Sequence, residues 1–251
     1  MPSRVKTSIK WYMKGLFPIK LMMLLYSIIL FIDLLFYTYY INLVNPWLKT
    51  ISTFNIIVIT SLFLNPLILA SGVAHVARTK DMTVYELSMI GNWRALAIGR
   101  LVSLLLYILP YLIIQSVLLF LLITRDSIVG IEIILLTIIM LLFYCSLGMV
   151  LSLSGSRVVA VIGLSMMTFL LPLSAWILIL ISQLNNVVDF DVITSIILYL
   201  LNSPMTFMFE KIYGIRLSVS WIQGGGVTIL TSLLLMALYI HVFTRRQQLK
   251  I

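Results

Sequence analysis

Six long apolar stretches, separated by short polar segments, restrict what this chain can fold into more than any other feature. Each stretch holds the roughly 20 apolar residues that a helix needs to cross the hydrocarbon core of a bilayer. They cover about 19–41, 51–77, 95–124, 130–153, 158–182 and 219–243 of the 251 residues. A helix can cross because it satisfies its backbone hydrogen bonds within itself. The sequence therefore predicts an all-α polytopic membrane protein whose single transmembrane domain occupies residues 1–251.

Composition and charge favour membrane insertion and argue against a nucleic-acid partner. Hydrophobic residues make up 62% of the chain and charged residues 10%, whereas soluble domains average roughly 45–50% and 25%. The formal net charge is +9, but the basic residues lie at the ends of the apolar stretches and lack interleaved aromatic residues. With six alternating spans most of them fall on one side, which the positive-inside rule makes the cytosol. We expect a multi-pass protein of the cell membrane with both termini in the cytosol.

The N-terminal segment has a helical pattern of its own. Residues 2–17 place Val5, Ile9, Tyr12 and Leu16 on one face, and three lysines repeat every four residues on an adjoining face. This pattern is typical of an amphipathic helix that lies in the lipid headgroup layer. The sequence predicts an interfacial helix in contact with membrane lipids.

A second irregular segment precedes the last span. Residues 183–218 mix apolar and polar residues, and their apolar part is too short to cross a bilayer. We therefore predict one or two short helices that lie on the outer face or dip into it. On the same alternation of spans, this segment and the acids Asp189, Asp191 and Glu210 lie outside the cell.

The longest charged segment between two spans, residues 78–94, predicts a short cytosolic helix over 82–90. Gly91 is a natural end for this helix because glycine adopts the left-handed conformation at a C-terminus. So short a helix is marginal in water alone, and exposed apolar side chains imply contact with lipid or protein. The apolar residues are Met82, Tyr85, Leu87, Met89 and Ile90. A simple interfacial connector is the alternative.

The layout and several short motifs resemble the membrane subunits of ABC-2 type transporters. The loop motif of that family matches Arg78, Thr83, Glu86, Leu87, Gly91, Arg94, Gly99 and Arg100. The family usually places its acid two residues after the threonine and a proline at the break, where this chain has Tyr85 and Gly91. Two further stretches look like the connection between the fourth and fifth spans and the outer segment of the family. They are Leu147–Leu164 and Asn202–Pro204.

The resemblance implies the permease subunit of an ABC exporter, not an enzyme in itself. Two such subunits pair as a homodimer or a mixed pair, and the cytosolic helix of each docks on a separate ATP-binding subunit. The implied coupling residues are Met82, Thr83, Tyr85, Glu86, Leu87, Met89 and Ile90. ATP and Mg are expected on the partner, because this chain contains no G-x-x-x-x-G-K-[ST] motif. No cofactor is expected on this chain.

Asp33 is an acid placed well inside an apolar stretch. An acid within a span is costly and is by default a functional candidate. It is predicted to line a substrate path with Tyr26, Tyr37 and Tyr40. The alternative is an acid close enough to the outer face to meet water or a neighbouring helix.

Other classes of function have weaker support. An ion-coupled secondary transporter ordinarily shows internal repeats and buried charges near the midplane, and only Asp33 suggests such a charge. An ABC-type subunit that releases or assembles cargo at the outer surface without translocation stays open. His75, His241 and Cys145 are too few and too dispersed for a metal site. No nucleophile motif of the G-x-S-x-G type occurs.

Overall fold

A computed structural model describes residues 2–15, 19–45, 48–49, 52, 64–76, 80–122, 127–154, 156–184 and 189–248. This part of the chain consists of helices and one pair of two-residue strands. The helices are α1 Pro2–Gly15, α2 Ile19–Ile41, α3 Asn65–Val76, α4 Lys80–Ile90, α5 Trp93–Leu122, α6 Ser127–Leu151, α7 Arg157–Leu184, α8 Val192–Tyr213 and α9 Trp221–Gln248. The strands are β1 Asp189–Phe190 and β2 Arg216–Leu217, and a short 3-10 turn, Ser152–Ser154, follows α6.

By length and composition alone, four helices in the described residues could cross a membrane. They contain Trp93–Gln115, Ile128–Ser154, Val192–Lys211 and Trp221–Arg245. Shorter apolar helical stretches occur at Tyr26–Tyr39 in α2 and Val158–Ser174 in α7. The prediction of an all-helical, membrane-type chain is therefore confirmed. The six-span layout stays a prediction, and residues 53–63 of its second span lie outside the described residues.

One of these four, α8, folds back on itself and does not run straight. The backbone leaves the helical conformation at Asn202, with φ −160° and ψ 86°. The Thr206 hydroxyl donates to the Leu198 carbonyl oxygen at 2.9 Å, although eight residues of straight helix would separate them by about 12 Å. β1 and β2, which precede and follow α8, pair in parallel and bring both ends of the helix together. Each half is about 15 Å long, too short to cross.

Local hydrogen bonds explain the turn of this helical hairpin, Val192–Tyr213, here called the α8 hairpin. The Asn202 side-chain oxygen accepts from the backbone N–H of Met205 at 3.3 Å, which is N-cap geometry for the second half. Pro204 follows in the first turn, where the missing N–H of proline costs little. Gly214 ends the second half with φ +64°.

The one or two short helices predicted for residues 183–218 are thus present as one hairpin. The prediction that their apolar part is too short to cross was wrong, because Val192–Lys211 is long and apolar enough by length and composition. The turn at Asn202 is what divides it.

The α8 hairpin packs against α6, α7 and α9. Its tip reaches the middle of the molecule, where the Tyr144 hydroxyl donates to the Leu201 carbonyl oxygen at 2.8 Å. Tyr144 lies about 25 Å along α6 from its first residue. At the base, the rings of Phe207 and Trp221 meet edge to face with centroids 6.4 Å apart. We call this part of the bundle the hairpin end.

The opposite end is formed by α1, α4 and the first turns of α5. The helix α1 lies close against α5, because a Cβ built on Gly99 would be 2.0 Å from the Ser8 hydroxyl oxygen. Only glycine permits that approach without displacing α1. The helix α9 connects the two ends, from Trp221 at the hairpin end to Phe243, about 33 Å further along. We call the second region the α1–α4 end.

Candidate functional site

The short helix α4 is the element around which the candidate site is built. It covers Lys80–Ile90 and ends at Gly91, whose φ of +70° favours glycine. The Gly91 N–H donates to the Leu87 carbonyl oxygen at 2.6 Å, and the Arg4 guanidinium donates to the Gly91 carbonyl oxygen at 3.1 Å. The predicted helix and its predicted stop at Gly91 are both confirmed. α1 therefore holds the C-terminal end of α4 in place.

One face of α4 is buried against the rest of this chain. Thr83, Glu86 and Ile90 recur at helical spacing and are each no more than 5% exposed. Since Glu86 is an acid at 2% exposure, it needs a charged partner in the same environment. Arg100, in the second turn of α5, is that partner.

The Arg100 guanidinium connects three helices through one buried network. Its Nη2 lies 2.8 Å from Glu86 Oε2, and the same atom donates to the Thr83 hydroxyl at 3.0 Å. Its Nε donates to the Tyr12 hydroxyl at 2.6 Å. The Tyr12 hydroxyl in turn donates to Glu86 Oε2. We call these four residues the Arg100 network; it joins α1, α4 and α5.

Aromatic rings from α1 and α9 enclose the Arg100 guanidinium. Its central carbon lies 5.1 Å from the centroid of the Phe243 ring and 5.9 Å from that of Tyr12, both within the range of cation–π attraction. Tyr239, one turn before Phe243, is fully buried beside it, and the two rings are 5.6 Å apart. The last turns of α9 are therefore part of the same site.

The electrostatics of the Arg100 network balance internally. Glu86 and Arg100 carry opposite charges, and the planar guanidinium group of an arginine is well suited to pair with a buried carboxylate. Burial raises the pKa of Tyr12 well above its usual value, and the negative charge of Glu86 adds to this while Arg100 opposes it. Tyr12 thus stays protonated and serves as donor to Glu86 and acceptor from Arg100. Removing Arg100 or Glu86 leaves the other charge buried without its counter-charge.

The other face of α4 points away from the chain and is mostly apolar, with the exposed Ser88 as a polar residue on it. Val84, Tyr85 and Met89 are between 50% and 57% exposed. The Tyr85 ring lies 6.3 Å from that of Trp11 on α1, so α1 extends this surface. We call Val84, Tyr85, Met89 and the adjoining Trp11 the outward apolar face.

The residues predicted for coupling are thus divided between the two faces. Tyr85 and Met89 lie on the outward apolar face, and Leu87 is half-buried against the core. Thr83, Glu86 and Ile90 are buried within this chain and fix the helix to it. The side chain of Met82 lies outside the described residues.

The predicted substrate path is described in part. The Tyr26 hydroxyl on α2 donates to the Tyr107 carbonyl oxygen of α5, and Tyr37 is half-buried. The side chains of Asp33 and Tyr40 lie outside the described residues. Tyr26 therefore ties α2 to α5, and the described residues do not test whether the four side chains share a path.

Sequence reasoning placed Tyr12 on an apolar face and used Arg100 only as part of a motif, so it missed the Arg100 network. One signal was available, because an arginine lies seven residues inside α5 with apolar residues on both sides. Such a charge requires a partner. Among the residues that the structure describes, no group of three or more His, Cys, Asp or Glu side chains is placed to hold a metal. Cys145 is buried and unpaired with another cysteine.

Comparison with known proteins gives no relative for this chain. No family model, no curated protein and no solved structure matches it. The functional argument therefore depends on the geometry of the site and on the sequence patterns.

Proposed function

We propose that this chain is the membrane permease subunit of an ATP-driven ABC exporter, working as a dimer and powered by a separate ATP-binding subunit. The observation that carries the proposal is the two-faced geometry of α4. Its inner face is fixed by a buried ion pair, and its outward face is apolar and exposed. A short helix with that arrangement is suited to receive a partner and to pass on its movement.

The first step of the argument is mechanical. A force on α4 reaches α5 through the Glu86–Arg100 ion pair and α1 through Tyr12. It reaches α9 through the contact between Arg100 and Phe243. Because α5 and α9 run towards the hairpin end, tilting them changes the opposite end of the bundle. Nucleotide-dependent movement of a partner at α4 has a direct route to the transport helices.

The second step concerns the outward apolar face. Tyr85 and Met89 offer an aromatic ring and a flexible thioether side chain, both frequent in protein interfaces. On a helix of only 11 residues, an exposed apolar face is unfavourable unless something covers it. On the proposed orientation this face lies in the cytosol, and its occupant is a cleft of the ATP-binding subunit. ATP and Mg then bind to that subunit.

The test replaces Val84 and Met89 with aspartate in the full chain. Both side chains are exposed, so the change introduces charge into the outward apolar face without touching the Arg100 network. Leu87 is left intact because it also packs on the core. The chain is purified in mild detergent from its own membranes, and Mg-dependent ATP hydrolysis and ATP photolabelling of a second polypeptide are measured. We expect both signals to fall by about tenfold or more, as for other interface anchors.

A matched control places the same change at the hairpin end. Val192 and Ile193 are 53% and 68% exposed and adjoin an exposed turn. Replacing both with aspartate adds equal charge there and should leave the ATPase signals intact. If the Val84 and Met89 variant retains the partner as well as the control does, the docking role is wrong. Uptake driven by an ion gradient in proteoliposomes without any ATPase would instead favour a secondary transporter.

The α8 hairpin favours one variant of this proposal. A pre-formed hairpin at the outer end of the bundle offers a surface on which cargo is released or assembled without crossing. The two forms differ in a vesicle assay with the ATPase present. Accumulation of cargo across the bilayer supports export, and ATP-dependent change confined to the outer surface supports assembly.

A further inference from the structure

A groove of about 1120 Å³ opens between the α4–α5 turn and the last turns of α9. Asn92 and Arg94 line one wall, and Leu238, His241 and Arg245 line the other. It lies beside the Arg100 network but is separate from the outward apolar face. No part of the proposed coupling function uses this groove.

The groove is positively charged. Arg94 and Arg245 are both exposed, and none of its lining residues is acidic. The described residues show no ion pair to either arginine, and the acid nearest in sequence, Glu86, is paired with Arg100. The first turn of α5 also begins here, capped by Asn92, whose side-chain oxygen accepts from the Ala95 N–H at 2.9 Å. The positive end of a long helix dipole adds to the two guanidinium charges.

An apolar stripe on α9 leads into this charged mouth. Leu230, Leu234 and Leu238 are between 47% and 63% exposed and follow one another every four residues. His241 and Arg245 continue the same face at helical spacing. The stripe lies on a helix apolar and long enough to cross a membrane. A ligand with an anionic head and a long apolar tail would match both parts.

We infer that this groove binds the phosphodiester headgroup of an anionic phospholipid, with an acyl chain lying along the Leu230–Leu238 stripe. Arginine suits phosphate because its planar donors pair with two oxygens at once, and basic pockets between membrane helices are typical sites for such headgroups. A free phosphate compound would use only the mouth, and an acidic protein would leave the stripe unexplained. The inference stands independently of the ATP-coupled function.

The test uses the full chain in a mild detergent and measures lipid adducts by native mass spectrometry. Phosphatidylglycerol and phosphatidylcholine with identical acyl chains are compared, and glycerol 3-phosphate serves as the free-headgroup competitor. We expect tighter binding of phosphatidylglycerol and no displacement by glycerol 3-phosphate at equal concentration. Arg94→Gln combined with Arg245→Gln should weaken phosphatidylglycerol binding about thirtyfold, since each basic residue near an anionic lipid contributes roughly fivefold.

A charge-matched control removes two exposed basic residues at the hairpin end, Lys211→Gln with Arg216→Gln. They lie far beyond a Debye length from the groove, so this change should alter binding by less than about threefold. The unmodified protein supplies a second measurement, in which raising the salt concentration weakens phosphatidylglycerol binding. Equal binding of the two lipids, displacement by glycerol 3-phosphate, or a flat salt response would overturn the inference. So would loss of the ATP-binding partner in the arginine variant with lipid binding unchanged, which would assign the groove to a protein.

Discussion

The two ends of the bundle bury polar groups in opposite ways. At the α1–α4 end, a full positive and a full negative charge meet, and they come from Arg100 and Glu86 on different helices. At the hairpin end the buried groups are mostly neutral, and they bond close by in sequence. Examples are Asn202 with Met205, Ser203 with the Tyr199 carbonyl, and Thr206 with the Leu198 carbonyl. At the α1–α4 end the buried polar groups join different helices, so we call it a junction. At the hairpin end most of the buried polar groups pair within α8.

This difference has a consequence for function. A buried ion pair is costly to separate, so the elements that carry it move together or not at all. The α8 hairpin makes most of its polar bonds within itself, and the hydrogen bond from the Tyr144 hydroxyl to the Leu201 carbonyl oxygen ties its tip to α6.

The largest expected effect comes from breaking the junction. Arg100→Met leaves Glu86 buried without a counter-charge, and we expect a loss of about 3–5 kcal/mol in the free energy of unfolding. Unfolding is followed by circular dichroism during titration with sodium dodecyl sulfate in mixed micelles. Glu86→Met should cost a comparable amount, because it leaves the buried guanidinium without its counter-charge.

The double variant, Arg100→Met with Glu86→Met, separates pairing from packing. Apolar replacement of both charges is expected to recover most of the loss, so the interaction energy from the double-mutant cycle should be large. Additive losses in the two single variants would show that the pair is not the junction described here. Partner ATP hydrolysis in the double variant then reports whether the rigid link itself matters.

The second prediction compares two glycines, one at each end. Gly99→Ala places a methyl group where the Ser8 side chain lies and must displace α1, so we expect a loss of about 1–3 kcal/mol. At Gly226 an added Cβ meets nothing within 4 Å. Because both positions are helical, Gly226→Ala should instead stabilise the chain by about 0.5–1 kcal/mol. The same unfolding titration measures both, and equal shifts would contradict the close approach of α1 and α5.

The sequence predicted the parts of this fold that depend on local pattern. Helix α2 has the bounds predicted for the first apolar stretch, 19–41, and α4 ends at Gly91 as expected. These features were accessible because apolar length, periodicity and glycine placement are properties of neighbouring residues.

The parts that escaped prediction depend on residues far apart in the chain. Tyr12 and Glu86 bond across 74 positions, and no periodicity in either helix signals the other. The division of α4 into two faces was likewise missed, since the predicted coupling set combined the buried Thr83, Glu86 and Ile90 with the exposed Tyr85 and Met89. The fold-back at Asn202 interrupts an otherwise helical pattern at a single residue. In the sequence, the asparagine that caps the second half looks much like any other polar residue of a helix.

The smallest effects distinguish two helix caps of the α8 hairpin. Asn202 is buried and caps the second half, so Asn202→Ala should cost about 1–2 kcal/mol by leaving the Met205 N–H without its acceptor. Asp191 is exposed and caps the first half through the Thr194 N–H at 3.2 Å. Asp191→Ala should cost less, because water can replace the lost acceptor.

Low pH should weaken the helix cap formed by Asp191 but not the cap formed by Asn202. Hydrogen bonds from Thr194 lower the pKa of Asp191. A carboxyl with a lowered folded-state pKa stabilises the chain above its unfolded pKa of about 4 and loses that contribution as the pH falls through the folded value. Hydrogen exchange at the Thr194 amide, corrected for its intrinsic rate, should therefore speed up as the pH falls through the folded-state pKa of Asp191. The unmodified chain should show this change and the Asp191→Asn variant should not. Protection of the Met205 amide depends on an uncharged side chain and should show no such step. A step of equal size at both amides would mean that the hairpin opens as a whole in acid and that its two halves are not capped independently.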